Sequence, residues 1–219
     1  MNHQSTLRIA ANMRSPGLHW RGDSEIQIGV RDWGSESIAE SVTNEIASFL
    51  RSREADVDIT TPFERLSCYS DLQNDLRQAV FLANEKIFVD LNSQIITAGC
   101  EMISLVRRGN EVSYALVGDF VVFGKTRDDE IHLLVAQEGS HTSFLPENLL
   151  GVDDRTHVVL GNLSTQDFHQ LIIGCGDVSL ALADRKILQS PDLRQIVKRL
   201  AEQGSRQKGL LLSTIDLSE

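Results

Sequence analysis

The sequence predicts an α+β domain with helices packed outside antiparallel sheets, and three observations lead there. Short strand-like runs crowd the middle of the chain, from Ile95 to Ala136, with turn compositions between them. Helical periodicity is grouped instead between Ser35 and Leu91 and again near the end. At 219 residues, 41% hydrophobic and 24% charged, the chain suits one compact domain spanning residues 1–219. A fold of this size buries roughly 70% of its unfolded surface.

Two strands open the chain. Leu7 to Asn12 alternates weakly, and Glu25 to Val30 alternates cleanly and ends at Arg31-Asp32. Ser35 or Ser37 then stands where a cap belongs, before a helix whose apolar positions Ile38, Val42, Ile46, Phe49 and Leu50 recur at three- and four-residue spacing. A surface segment from Arg51 to Cys68 follows. Asp71 to Leu91 carries the strongest helical pattern: Leu72, Leu76, Val80, Ala83, Ile87 and Leu91 form one stripe with charges opposite, so this helix is expected to cover a sheet.

Hairpins come next. Ile95 to Val106, Glu111 to Val117, Phe120 to Gly124 and Ile131 to Ala136 read as strands, joined at Arg108-Gly109-Asn110-Glu111 and Thr126-Arg127-Asp128-Asp129. A polar loop from Gln137 to Asn148 leads to a strand at Thr156 to Leu160. A buried strand at Leu171 to Cys175 follows, then a helix at Asp192 to Glu202 and a last strand at Gly209 to Ile215. Ser179-Leu180-Ala181-Leu182 reads as a first helical turn after the strand and turn at Cys175-Gly176-Asp177-Val178. Strand, tight turn, helix is a common way to hold a carboxylate at the rim of a sheet.

Several function classes are excluded by composition. A formal charge of −10 repels phosphate backbones and anionic headgroups, and no Lys/Arg cluster with interleaved aromatics offsets it, so neither nucleic acid nor a membrane surface is an expected partner. Cys68, Cys100 and Cys175 are odd in number and widely spaced, which suits reduced thiols rather than a zinc site or a disulfide framework. Cys100 and Cys175 sit in apolar strand contexts that raise a thiol's pKa. The six histidines lack paired metal spacing, and phosphate-cradling glycine loops and nucleophile elbows are missing. With no signal-like start and no run of eighteen apolar residues, a cytoplasmic location is expected.

The order of elements and several short motifs resemble the metal-dependent protein serine/threonine phosphatases of the type 2C (PPM) class, in their compact bacterial form. Val30-Arg31-Asp32-Trp33-Gly34-Ser35-Glu36 stands where that family has a strand ending in Ala-Asp-Gly-Met-Gly-Gly. Ala83-Asn84-Glu85-Lys86-Ile87 matches an Ala-Asn-x-x-Ile, and Ala98-Gly99-Cys100-Glu101 stands where a Gly-Thr-Thr begins the next strand. Val117-Gly118-Asp119-Phe120 corresponds to Val-Gly-Asp-Ser and Leu149-Leu150-Gly151 to Ala-Leu-Gly. Leu171 to Leu182 follows Leu-Leu-Leu-Cys-Ser-Asp-Gly-Leu with similar apolar spacing. The resemblance implies a four-layer αββα sandwich of two antiparallel sheets flanked by helices, with a two-metal site in a cleft at one edge of the sheets.

Such a site is demanding. Two dications about 4 Å apart repel by on the order of 17 kcal/mol at an effective dielectric of 20, so several carboxylates must converge on them. In the family four aspartates build this cage and an upstream arginine grips the phosphate. Arg21-Gly22-Asp23-Ser24 keeps the first aspartate as Asp23, with its glutamate neighbour replaced by Gly22, and Asp32 keeps the second. The third becomes Gly176, and the fourth falls at Gln207-Lys208. The phosphate arginine falls on Leu18 or Trp20, neither of which forms a bidentate bond to phosphate, while Arg21 reads as a solvated surface residue. Asp177 lies one place beyond the lost ligand and points to the opposite face unless the turn reorganises. Asp119 reads as a turn aspartate holding backbone amides.

The implied metal set is therefore a residual one of Asp23, Asp32 and Asp177, each of the first two also readable as a surviving loop or strand-end acid. The expected cofactor is none, or weakly held Mg²⁺ or Mn²⁺. No catalytic residue is assigned. These losses imply a signalling pseudophosphatase that binds a protein or phosphoprotein partner. Two alternatives stand beside it: an active or weak phosphatase with a reorganised site on Asp23, Asp32 and Asp177, and a phosphate-independent scaffold subunit of a larger assembly.

Overall fold

A computed structural model describes residues 1–9, 17–56, 58–137, 147–176 and 210–217. The chain divides into two compact units, each assembled from separate stretches of sequence. One unit comprises His19–Gly118 and Asn148–Leu163; the other comprises Met1–Leu18, Asp119–Glu147 and Ser164–Glu219. Two antiparallel sheets and two helices are the described elements, as the α+β reading requires.

In the first of these units β2 (His19–Gly22), β3 (Ile26–Gly34), β4 (Ala98–Arg108), β5 (Glu111–Val117) and β8 (Val159–Ser164) lie side by side in that order. Strand β4 is central, and its residues from Ala98 to Val106 are all buried. Side chains alternate across a strand, so Ile26, Ile28 and Val30 share one face of β3. They pack with Cys100, Met102 and Val106 of β4 against α1 (Ala39–Ala55) and α2 (Asp71–Ile87). From α1 this core takes Val42, Ile46, Phe49 and Leu50, and from α2 Leu76, Val80, Ala83 and Ile87. Strand β2, too short to read from the sequence, is held by Trp20, whose ring lies where a side chain at its cross-strand partner Gly29 would stand.

Local chemistry explains where the elements end. Helix α2 begins with a capping box, the Ser70 hydroxyl accepting from the Gln73 N–H while the Gln73 side chain accepts from the Ser70 N–H. It ends at Ile87, and Phe88–Asn92 continues as a π-helical turn, so the helix expected through Leu91 changes its hydrogen-bond register. The cause is Asn92, which is buried: its side-chain oxygen accepts from the N–H groups of Thr97 and Ala98, and its amide donates to the carbonyls of Ala98 and Gly151. That claim on Thr97 and Ala98 also delays β4, expected from Ile95, to Ala98. Likewise β8 starts at Val159 rather than Thr156, because Asn148 bonds both the N–H and the carbonyl of His157 and the Thr156 hydroxyl.

The segment expected to lie on the surface from Arg51 is helical to Ala55. Beyond it, Asn74 holds the turn at Leu66 to Ser70 through four hydrogen bonds, and Arg53 and Arg65 converge on Asp75.

The second unit carries a sheet in the order β1 (Asn2–Ile9), β10 (Leu210–Asp216), β9 (Gln170–Gly176), β6 (Phe120–Lys125), β7 (Ile131–Ala136). Strand β1 starts earlier than its weak alternation suggests, because its pairing runs from Asn2 opposite Asp216 to Ile9 opposite Leu210. Strands β5, β6, β7, β9 and β10 match the sequence reading to within a residue at each end. The helix expected at Asp192 to Glu202 lies outside the described residues, as do Asp177, Gln207 and Lys208.

Candidate functional site

The two family-matched metal aspartates that fall within the described residues lie at the two ends of β3. Asp23 sits in the turn between β2 and β3, with its N–H bonded to the Ile26 carbonyl. Its Oδ1 accepts from the N–H groups of Glu25 and Ile26, and its Oδ2 accepts from the Arg51 guanidinium at 2.8 Å. Partial burial raises this carboxyl's pKa, but the two backbone donors and Arg51 outweigh it and hold the group below its usual value. Gly22 permits this turn: its φ is +144°, and a Cβ there would lie 2.0 Å from the Ile26 carbonyl oxygen. The glutamate of the family motif has no room at that position.

Asp32 stands near the other end of the strand. Its Oδ2 accepts from the Ser37 hydroxyl at 2.6 Å and its Oδ1 from the Ile38 N–H at 3.2 Å, just before α1. Neither Ser35 nor Ser37 caps that helix directly, since the residue ahead of Ala39 is Ile38 and it makes no side-chain cap. The carboxylate of Asp32 faces the helix N-terminus instead, where the macrodipole favours an anion. From Ile26 to Asp32 is six residues, about 20 Å at roughly 3.3 Å per residue. Asp23 and Asp32 are therefore not brought together and do not share a cation. Among the described residues no three His, Cys, Asp or Glu side chains gather in a metal-binding arrangement.

What the strand end holds is an ion pair. Arg31 Nη1 donates to Glu101 Oε2 at 2.8 Å, and the two side chains are 2% and 0% exposed. Arg31 and Glu101 are direct cross-strand partners on β3 and β4, on the face turned away from α1 and α2. Trp33, two residues along the same face, donates its indole N–H to the same Glu101 oxygen at 2.9 Å, and its ring lies under the Arg31 guanidinium at 4.7 Å. Gly118 opens the space: a Cβ there would meet Glu101 Cγ at 2.5 Å, and φ is +104°. Sequence reasoning missed this cluster, taking Arg31, Trp33 and Glu101 only as departures from motifs. The available signal was the single cation of β3 and the single anion of β4.

The remaining matched residues have structural duties. Asn84 bonds the Gly151 N–H and the Asp153 carbonyl, so the Ala-Asn-x-x-Ile and Ala-Leu-Gly matches meet through one buried amide. Gly151, at φ +87°, rests on Ile87. Of the two positions aligned with the phosphate arginine, Leu18 is buried and Trp20 packs on β3. Arg21 is an exposed residue 3.6 Å from Glu40. Asp119 is buried and directly precedes β6. Gly176 is the last residue of β9, paired with Leu210. Cys100 is buried, and burial, followed by the nearby Asp32 and Glu101 carboxylates, pushes its thiol well up; Cys175 is buried and Cys68 exposed.

This arrangement of sheets and helices is the fold of the type 2C serine/threonine phosphatases. The chain is similar in structure to PppA, a key regulatory component of T6SS in Pseudomonas aeruginosa, with a TM-score of 0.63 at 14% identity over 99% of this chain and 98% of that one. It is similar to the Mycobacterium tuberculosis serine/threonine phosphatase PstP/Ppp, with a TM-score of 0.62 at 14% identity over 98% of each chain. It is also similar to the catalytic domain of PstP in complex with two manganese ions, with a TM-score of 0.60 at 14% identity over 98% and 97%. No family model matches the sequence. No curated protein matches it significantly.

Proposed function

We propose that the chain is a pseudophosphatase, a type 2C phosphatase fold that binds a protein or phosphoprotein partner without efficient hydrolysis. The observation that carries this reading is the commitment of Asp32: both oxygens of the best-matched metal aspartate are taken by Ser37 and Ile38 at the start of α1. The glycine at 176, where the family has a metal aspartate, points the same way. Two-metal hydrolysis needs carboxylates free to converge on the ions and on a bridging hydroxide. PppA, whose fold is similar, is a key regulatory component of T6SS, and a regulatory role through contact with other proteins suits the present chain too.

Hydrolysis of para-nitrophenyl phosphate in millimolar Mn²⁺ tests the reading. The expected result is a rate no greater than that of Asp32→Ala. Measurable turnover that Asp32→Ala abolishes would overturn it in favour of an active enzyme with a reorganised site.

A further inference from the structure

We propose that the exposed apolar knuckle between α2 and β4, carried by Val89, Ile95 and Ile96, is the docking point for a protein partner, and that this partner presents an apolar pocket ringed by Lys and Arg. The inference rests on the reading that this chain works by binding a protein, and deepens it by naming the surface and the partner's chemistry.

Among the described residues Val89, Ile95 and Ile96 are the large apolar side chains left in water, at 57%, 74% and 62% exposure. Loop tips are ordinarily polar, and two adjacent isoleucines at one keep apolar surface hydrated that folding does not bury. Nor is the tip loose. Asn92 closes the loop by accepting from the N–H groups of Thr97 and Ala98, and its amide ties the loop to the Gly151 carbonyl. A tip already held in place gives up little conformational freedom on association, so the apolar area it buries against a partner is retained as affinity.

The surroundings are acidic. Ser35 donates from its N–H and its hydroxyl to the Thr97 carbonyl, which brings the connection from β3 to α1, and with it Glu36, alongside the knuckle. That connection also holds Asp32 through Ser37, so the knuckle borders the family-matched strand end. On the other side Asn92 bonds Gly151, and the Asn84 amide bonds the carbonyls of Asp153 and Asp154. Glu36, Asp90, Asp153 and Asp154 are exposed, and none of them forms an ion pair among the described residues. Lys86 is committed to Glu45 at 2.7 Å, which leaves Arg155 as the opposing charge of these loops. A second copy of this chain, itself at −10, would set carboxylates against carboxylates across a two-fold contact, whereas a basic rim complements them.

Panning a random dodecapeptide display library on the full chain tests this. Peptides that join Lys or Arg to Leu, Ile or Phe are expected to be enriched. Fluorescence anisotropy with the tightest of them is expected to show binding about tenfold or more weaker to Ile95→Ser/Ile96→Ser. Asp153→Asn/Asp154→Asn is expected to weaken it severalfold and to flatten its salt dependence. Both variants are expected to keep the wild-type Tm within about 2 °C, because the altered side chains are exposed. If Ile95→Ser/Ile96→Ser melts lower than that, Ile95→Lys alone reads the same contact. No enriched peptide, enrichment of acidic or purely apolar peptides, or binding that survives Ile95→Ser/Ile96→Ser would overturn the proposal, as would a wild-type dimer in sedimentation that those substitutions disperse. Turnover of para-nitrophenyl phosphate sinks the functional reading, whereas loss of peptide binding without turnover sinks this inference alone.

Discussion

Asp32 and Ser104 show how much of this chain's behaviour is decided one side chain at a time. Asp32 is satisfied by a hydroxyl and an amide, whereas the Ser104 hydroxyl is buried in β4 without a hydrogen-bond partner among the described residues. A buried, unpaired hydroxyl is destabilising, so Ser104→Ala is expected to raise stability by about 1 kcal/mol, read as an increase in Tm. Gly22→Glu restores a letter of the family motif but forces a side chain against the Ile26 carbonyl at a left-handed φ. It is expected to destabilise by about 1–3 kcal/mol, and denaturant unfolding at unchanged m-value would show it. The thiols separate by environment: at pH 8 iodoacetamide is expected to label Cys68 in the native protein, and Cys100 and Cys175 only after unfolding. Peptide mass spectrometry reads the pattern. At this scale legibility was poorest. The sequence reads Asp23 as a loop acid and Asp32 as a strand-end acid, but their hydrogen-bond partners, the Glu25 and Ile26 amides for one and Ser37 and Ile38 for the other, come only from the structure. The Arg31–Glu101 pair spans seventy residues of sequence, and no local pattern announces such a partner.

Elements were legible where one periodicity ruled and were misjudged where a single side chain intervened. The stripe along α2 and the apolar runs of β5, β6, β7 and β9 are consequences of burial on one or both faces, and they survive translation into structure almost unchanged. Boundaries moved wherever an asparagine captured backbone groups: Asn92 turned the end of α2 into a π-helical turn and postponed β4, and Asn148 postponed β8. Hydrogen bonding of this kind has no periodic signature. Asn92 is therefore expected to be the most sensitive polar position of the α2–β4 connection. Asn92→Ala leaves the Thr97 and Ala98 amides and the Gly151 carbonyl without partners, for an expected loss of about 2–4 kcal/mol. Hydrogen exchange at Thr97 and Ala98 is expected to accelerate by more than at Met102, farther into the same strand.

For the whole molecule, the fold is shared with PppA and PstP at only 14% identity. Core positions tolerate exchange as long as volume and alternation persist, so the architecture stayed readable from hydrophobic spacing. A two-metal centre has no such latitude, because its electrostatics need particular carboxylates at particular strand ends. Of the positions matched to the family cage, Asp32 is hydrogen-bonded to Ser37 and Ile38, Asp23 lies in the turn at the other end of β3, about 20 Å away, and glycine stands at 176. The net charge of −10 sets a further expectation: binding to duplex DNA or to anionic vesicles should be undetectable at physiological salt. Manganese anomalous scattering from crystals soaked in millimolar MnCl₂ tests the central claim most directly. No pair of ions is predicted beside Asp32; two well-occupied peaks about 4 Å apart, bridged by a water and bound by its carboxylate, would contradict the account.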